Sequence, residues 1–320
     1  MSALTNDIGR IDVADGIATL TLQMEGRANK MNEAFVKGLG EMVDWLAEQQ
    51  GLAGVIVATG HRDFCVGADL DMLYPVRDPA LLLQATLALA TTTRKLETLG
   101  IPVVAALTGS ALGGGYELAL ACHHRIVLDD PRIQLGLPEV LLGVIPGGGG
   151  TQRLARTVGL QGAAELVCAG ATVRAPKAKA KGLVHATASD RDDLLDQARA
   201  FIAANPKSKQ PWDSSRFRWP GGVQPDSGDA RNLFAAAAAM LYKRTAGAFR
   251  APEVALQVIQ EGSLLAFDRA LELEARAFAH SGTSDQAKDM IRTFCYHTNA
   301  AEKHQGLPTA KEHGFSKVAV

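Results

Sequence analysis

Residues 109–153 constrain the chain most, because they set a single carboxylate into a segment otherwise built for burial. Within GSALGGGYELALACHHRIV, Gly113, Gly114 and Gly115 open a predicted helix over residues 116–122 whose other residues are nearly all apolar. A helix apolar on every side is a buried helix, and a carboxylate removed from water is costly unless something compensates it. Glu117 sits in the first turn, where unpaired amides and the macrodipole favour negative charge. Further on, Glu139 follows Pro138 inside a second apolar run, LPEVLLGVI. Taken singly, each glutamate reads more readily as an N-terminal helix charge than as a catalyst. Two carboxylates in apolar surroundings, flanked by glycine runs that bare backbone N–H groups, point instead to general acid and base work with stabilisation of a developing oxyanion.

The rest of the composition narrows the classes. The formal net charge of −1 gives no overall attraction to nucleic acid or to a membrane surface. No apolar run approaches membrane-spanning length, so no transmembrane segment is expected, and MSALTNDIGRIDV has neither a signal-peptide nor a transit-peptide character. Cys65, Cys122, Cys168 and Cys295 lie far apart without metal-type spacing, which reads as reduced thiols in a cytoplasmic protein and no metal site. The adjacent His123 and His124 lack acidic company and read as structural. The glycine run 147–150 lacks the Lys-Ser/Thr of a nucleotide loop and reads as letting a helix N-terminus approach the ligand or the Glu139 segment.

Taken in order, residues 8–24 carry two alternating apolar stretches split by Ala14, Asp15 and Gly16, a hairpin signal. A helix to about residue 50 follows GRANKMNEAF, with Phe35, Leu39, Met42, Val43 and Leu46 on one face. GVIVAT, at residues 54–59, is apolar throughout, as a buried parallel strand requires. HRDFCVGADLDML turns through Gly67 into a helix that Asp69 caps. An amphipathic helix over 78–99 stops at Gly100 and Pro102, and IPVVAAL is a strand feeding the glycine loop. Residues 124–128 form one further strand, Thr151 caps a short helix, and 161–183 read as two helical pieces. This alternation argues for right-handed crossovers in an α/β layer. From about Asp190 the strand signal vanishes. A helix, a Pro/Gly/Trp-containing connector over 206–229 and three long helices over 230–247, 252–279 and 284–304 follow, so an α/β part gives way to an all-helical part near 185–190. The final GFSKVAV reads as a strand begun and cut off, as in a chain that is part of a longer one.

RANKMNEAF, DFCVGADLDML, TGSALGGGYELALACHHRIV and GLPEVLLGVIPGGGGTQRLAR resemble the crotonase (enoyl-CoA hydratase/isomerase) superfamily. PEVALQVIQEGSLLAFDRALELEARAF with SDQAKDMIRTF is similar to the linker helices that join hydratase and 3-hydroxyacyl-CoA dehydrogenase parts in multifunctional α-subunits of fatty-acid β-oxidation complexes. The resemblance implies a crotonase-like ββα spiral domain over 1–189, a helical extension over 190–310 and, over 311–320, the truncated start of a dehydrogenase domain. No glycine fingerprint follows, so dehydrogenase activity is not implied. The resemblance also implies hydration of a 2-enoyl-CoA thioester, with Glu117 as base, Glu139 as acid and the amides of Ala68 and Gly114 as the oxyanion hole. Substrate and CoA contacts then fall on Arg27, Ala28, Lys30, Gly67, Asp69, Leu70, Gly115 and Pro138, with a solvated Lys30 as the alternative. Coenzyme A is part of the substrate and no separate catalytic cofactor is implied. A thiolase subunit and the missing dehydrogenase domain are the implied partners. The rival readings are a Δ3-Δ2-enoyl-CoA isomerase, which shuttles a proton with one glutamate, and a non-catalytic assembly module. Tyr116 stands where the family often has a small residue, which implies a narrower pocket, and His185 replaces a common acid.

Overall fold

The computed structural model describes residues 2–303. Strands β1 (Ser2–Asn6), β2 (Gly9–Ala14) and β3 (Ile17–Leu22) form an antiparallel meander. The turn between β2 and β3 has Asp15 and Gly16 both at positive φ (52° and 74°), the backbone twist that a two-residue hairpin needs. The chain then crosses over through α1 (Glu33–Glu48) to β4 (Gly54–Thr59), which lies parallel to β3. Asn32 caps α1 by accepting from the Phe35 amide, and the five apolar residues expected on its inner face are all buried. After α2 (Leu70–Leu73) and α3 (Pro79–Glu97), β5 (Val103–Leu107) joins β4. Strand β6 (Ala111–Leu112) leads into α4 (Gly114–Ala121), and β7 (His124–Leu128) pairs parallel to β5. The remaining elements of the α/β part are β8 (Gln134–Gly136), a 3-10 turn (Glu139–Leu142), α5 (Gly150–Cys168), β9 (Thr172–Arg174), α6 (Ala175–Ala178) and β10 (Ala186–Ala188). The main sheet runs β1-β2-β3-β4-β5-β7-β10, and β6, β8 and β9 make a small second sheet.

Strands β4 and β5 are buried at every position because both sheet faces are covered. Val55, Val57, Val103 and Ala105 point into the main core with α1 and α4, while Ile56, Ala58, Val104 and Ala106 meet Leu194, Ala198 and Ile202 of α7 (Arg191–Ala204). Helix α7 therefore belongs physically to the sheet, although loss of strand signal after residue 189 groups it with the helical part. Beyond a connector containing a 3-10 turn (Pro211–Asp213) come α8 (Gly228–Thr245), α9 (Arg250–Ser263), α10 (Phe267–Gly282) and α11 (Asp285–Ile291), which continues through π-type turns (Arg292–His297) into α12 (Thr298–Glu302). No helix among the described residues is long and apolar enough to cross a membrane.

Several expectations need correction. The long helix expected over 252–279 is two, α9 and α10, because the chain breaks at 264–266 so that α10 turns back onto α3 and α9. Residues 161–183 give the second half of α5, bent at Gly159 (φ 86°), then a strand and the short α6. Thr151 lies inside the first turn of α5, and Gly149 caps it. Tyr116 narrows no pocket: its hydroxyl donates to the Leu183 carbonyl at 2.8 Å in the core. The segment 311–320 lies outside the described residues.

Candidate active site

The backbone at Gly67 and Gly113 shapes the site. Gly67 has φ +90°, and a Cβ on it would sit 3.0 Å from the Leu112 carbonyl and 3.5 Å from the Gly114 nitrogen. Gly113, at φ +54°, turns β6 into α4 and is pinned by its amide, which donates to Gly136. The loop holding Ala68 and the start of α4 are thus packed backbone to backbone, an approach only glycine permits. Met31 donates its amide to the Gly67 carbonyl, and Asp69 donates to the Met31 carbonyl, so the Ala68 amide between them points away from Met31. Among the described residues, neither the Ala68 nor the Gly114 amide has an acceptor. Gly115 is pressed on Cys65, whose carbonyl oxygen lies 2.2 Å from where a Cβ would be, a role in close packing.

Glu117 is buried on α4, and the start of α5 supplies its compensation. Its Oε1 accepts from the Gly148 amide at 2.8 Å and the Gly150 amide at 2.7 Å. The glycine run 147–150 therefore serves the Glu117 carboxylate, and the N-terminus that stabilises the charge is that of α5 more than that of α4. Even so, burial, then the nearby Glu274 charge, push Glu117 up to about 8. Glu139 begins the 3-10 turn after Pro138, and its Oε1 lies 2.9 Å from the position a Cβ on Gly113 would take. Its Oε2 is buried without a hydrogen-bond partner. Burial first, then the Glu117 charge, push its pKa well upward. An orphaned buried oxygen costs free energy unless it is protonated or meets a ligand or water.

Two residues outside the sequence-based set hold the glycine loop in place. Arg153, fully buried on α5, donates to the Gly148 carbonyl at 2.6 Å and pairs with Glu97 of α3 at 2.7 Å. One peptide thus offers its N–H to Glu117 while its C=O is tied to Arg153. Glu274, fully buried on α10, accepts from the amides of Gly149, Thr151 (2.8 Å) and Gln152 (3.3 Å) and from the Thr151 hydroxyl. The first turn of α5 is therefore clasped by carboxylates from two sides. Glu274 sits in an ordinary amphipathic pattern, so the only sequence signal was an acid on the apolar face. Asn29 was also missed: its buried amide donates to the Phe64 carbonyl (2.9 Å) and Thr59 Oγ1 (3.1 Å) and accepts from the Met24 amide, fixing the loop before Met31.

Among the expected CoA contacts, Lys30, Asp69 and Leu70 line one cavity of about 780 Å³ together with the oxyanion-hole candidate Ala68, a volume suited to a small-molecule ligand. Its other wall comes from the C-terminal turns, including Tyr296, Asn299 and Lys303. Tyr296 packs edge-on to Tyr74 and donates to Asp71 at 2.9 Å, which ties this wall to α2. Lys30 lies 3.6 Å from Asp69 and is half exposed. Arg27 is exposed, and Ala28 and Pro138 are half-buried outside this cavity. His123 bridges two backbone groups, accepting from the Val103 amide and contacting the Glu97 carbonyl, while His124 stacks between His185 and Phe201.

The family model described as enoyl-CoA hydratase/isomerase matches residues 12–211. The fatty acid oxidation complex subunit alpha of Shewanella sp. (strain MR-4) is 33% identical over 313 residues, which is 96% of this chain and 43% of that protein. The corresponding subunit of Shewanella loihica is 33% identical over 320 residues, 98% of this chain and 44% of that protein. The chain thus spans less than half the length of these curated relatives. A crystal structure of an enoyl-CoA hydratase from Bacillus anthracis superposes with a TM-score of 0.57 at 25% identity, covering 93% of this chain and 97% of that one. One from Bacillus halodurans gives a TM-score of 0.63 at 17% identity, with 88% and 98% covered, which speaks to the fold alone.

Proposed function

The chain belongs to the enoyl-CoA hydratase/isomerase family, with the crotonase-like α/β fold followed by a helical region, and on that premise we propose that it hydrates 2-enoyl-CoA thioesters in fatty-acid oxidation. The observation that carries the reading is the buried, unpartnered Oε2 of Glu139 in the neighbourhood of the amide-held Glu117 and the two acceptor-free amides of Ala68 and Gly114.

In the proposed step the thioester oxygen takes hydrogen bonds from the Ala68 and Gly114 N–H groups. Water attacks C3, and its proton passes to the Glu117 carboxylate. The π electrons move through C2 onto the thioester oxygen as an enolate, whose charge the two amides stabilise. Glu139, kept protonated by burial and by the Glu117 charge, then delivers a proton to C2. A proton returning from Glu117 to Glu139 restores the starting state. In this reading Lys30, Asp69 and Leu70, which line one cavity with Ala68, take the CoA moiety. The relatives' name supports a place in a fatty acid oxidation complex; in this reading the helical region faces a thiolase subunit or a dehydrogenase domain.

The test is the loss of the conjugated thioester's ultraviolet absorbance when the protein is added to crotonyl-CoA. Glu117→Gln and Glu139→Gln are each expected to lower the rate by about a hundredfold or more while acyl-CoA binding persists. Near-normal hydration by either variant would remove that residue from the mechanism. Turnover of a 3-enoyl-CoA with none of the 2-enoyl-CoA would assign the site to isomerisation instead.

A further inference from the structure

The candidate active site occupies the loops after β4 and β5, at the C-terminal ends of the parallel strands. A second cavity, of about 400 Å³, lies at their N-terminal ends, where β7 and β10 begin. Its wall carries the side chains of Arg125, Arg156, Arg216 and Arg218, and no acidic residue lines it. Arg125 is 2% exposed: its Nε and Nη1 donate to the carbonyls of Leu183 (3.0 Å) and Cys122 (3.1 Å), and its Nη2 has no acceptor among the described residues. Among the described residues, none of these four guanidinium groups is in a salt bridge with a carboxylate. Acids close to the lining are engaged elsewhere: Asp213 by Arg94, Glu97 by Arg153, and Glu274, which acts on Arg156, by the amides at the start of α5. The same cavity is lined by Trp212, whose indole N–H is buried and unpartnered. A wall that offers donors and positive charge, with no carboxylate to balance them, is complementary to an oxyanion.

We propose that this cavity is a second ligand site, separate from the thioester site, which takes a small phosphomonoester through Arg125, Arg216, Arg218 and the Trp212 N–H. Four cations favour a dianion over a carboxylate, and the volume holds an organic group of modest size beside the phosphate. The Arg156 guanidinium stacks on Trp219 at 4.9 Å and on Phe267 at 5.1 Å, so the cavity floor is fixed before any ligand arrives.

The full chain is titrated calorimetrically with phenyl phosphate and with benzoate at low salt, and tryptophan fluorescence is followed in parallel. Phenyl phosphate is expected to saturate and to bind at least about tenfold tighter than benzoate, with a fluorescence change that Trp212→Phe removes. The exposed double change Arg216→Ala/Arg218→Ala is expected to weaken binding at least about tenfold. The equally charge-reducing Lys37→Ala/Lys177→Ala should leave it unchanged. Failure to saturate, equal weakening in both double variants, or preference for benzoate would each overturn the proposal. Self-association that only the arginine variant abolishes, without phenyl phosphate binding, would overturn it in favour of a second copy of the chain.

Discussion

Glu117 is held as a base by two amides yet kept reluctant to ionise by burial and by Glu274, and these opposing influences set where on the pH scale it works. The groups facing it with charge are Glu274 from α10, Arg153 from α5 and Glu139 from the 3-10 turn. A base acts only when deprotonated, so kcat/KM for crotonyl-CoA should rise about tenfold per pH unit up to a limb near 8, a value belonging to the interacting set. Glu274→Gln removes a neighbouring negative charge and is expected to move that limb to lower pH, by an amount read from the pH–rate profile. A limb left in place would show that Glu274 acts on α5 alone. The two catalytic candidates were legible in the sequence because an acid in an apolar run is conspicuous. Glu274 was not, since its hydrogen-bond donors lie more than a hundred residues earlier and nothing local announces them.

At the scale of the element, the start of α5 does the positioning, and its glycines differ in what a methyl group would disturb. At Gly150 a Cβ would lie 2.7 Å from Glu117 Oε1, with no positive φ to strain the backbone. A Cβ there would also lie 2.9 Å from Pro146 Cβ, so Gly150→Ala should displace both the carboxylate and the loop ahead of α5 and lower the hydration rate by about a hundredfold, as displacements of about 1 Å do. Gly40, inside α1, meets only Thr92 Oγ1 at 3.8 Å. Gly40→Ala is accordingly expected to stabilise the protein by about 0.5–1 kcal/mol, seen as a higher denaturant midpoint with an unchanged slope. Elements with a full period were readable: α1, β4 and α3 were placed within a few residues of their observed ends. The three-residue β8, β9 and β10 were not, because their pairing is decided by the neighbours they meet and two or three residues carry no period.

For the whole molecule, the sequence-based division near residue 190 marks a change of local pattern and no break in packing. Ala251, Ala255 and Ile259 of α9 share one core with Leu154 and Val167 of α5, and Phe278 of α10 lies against Gly147. The buried groups of this joint core also fix how stability depends on pH. Glu117, raised to about 8, together with Glu97, Glu139 and Glu274, also raised, makes the folded state hold protons that the unfolded chain releases above about 4.5. That contribution is complete below 4.5 and is lost as pH rises toward 8. His124 and His185 are lowered to about 4 and about 3, chiefly by burial and then by Arg125, and His123 is lowered as well. The unfolded chain therefore binds more protons at these histidines below 6.5, and stability falls as pH drops from 6.5 toward their folded values. Between 6.5 and 8 the raised acids act, and below 4.5 the histidines act together with Asp130 and Asp193, which are lowered and lose their contribution as pH falls, so the denaturant midpoint should peak between the two ranges and decline on both sides. A midpoint still climbing from pH 6.5 to 8 would mean that the four buried carboxyls ionise as readily in the fold as in water, and Glu139 would then need a counter-charge for its unpartnered oxygen.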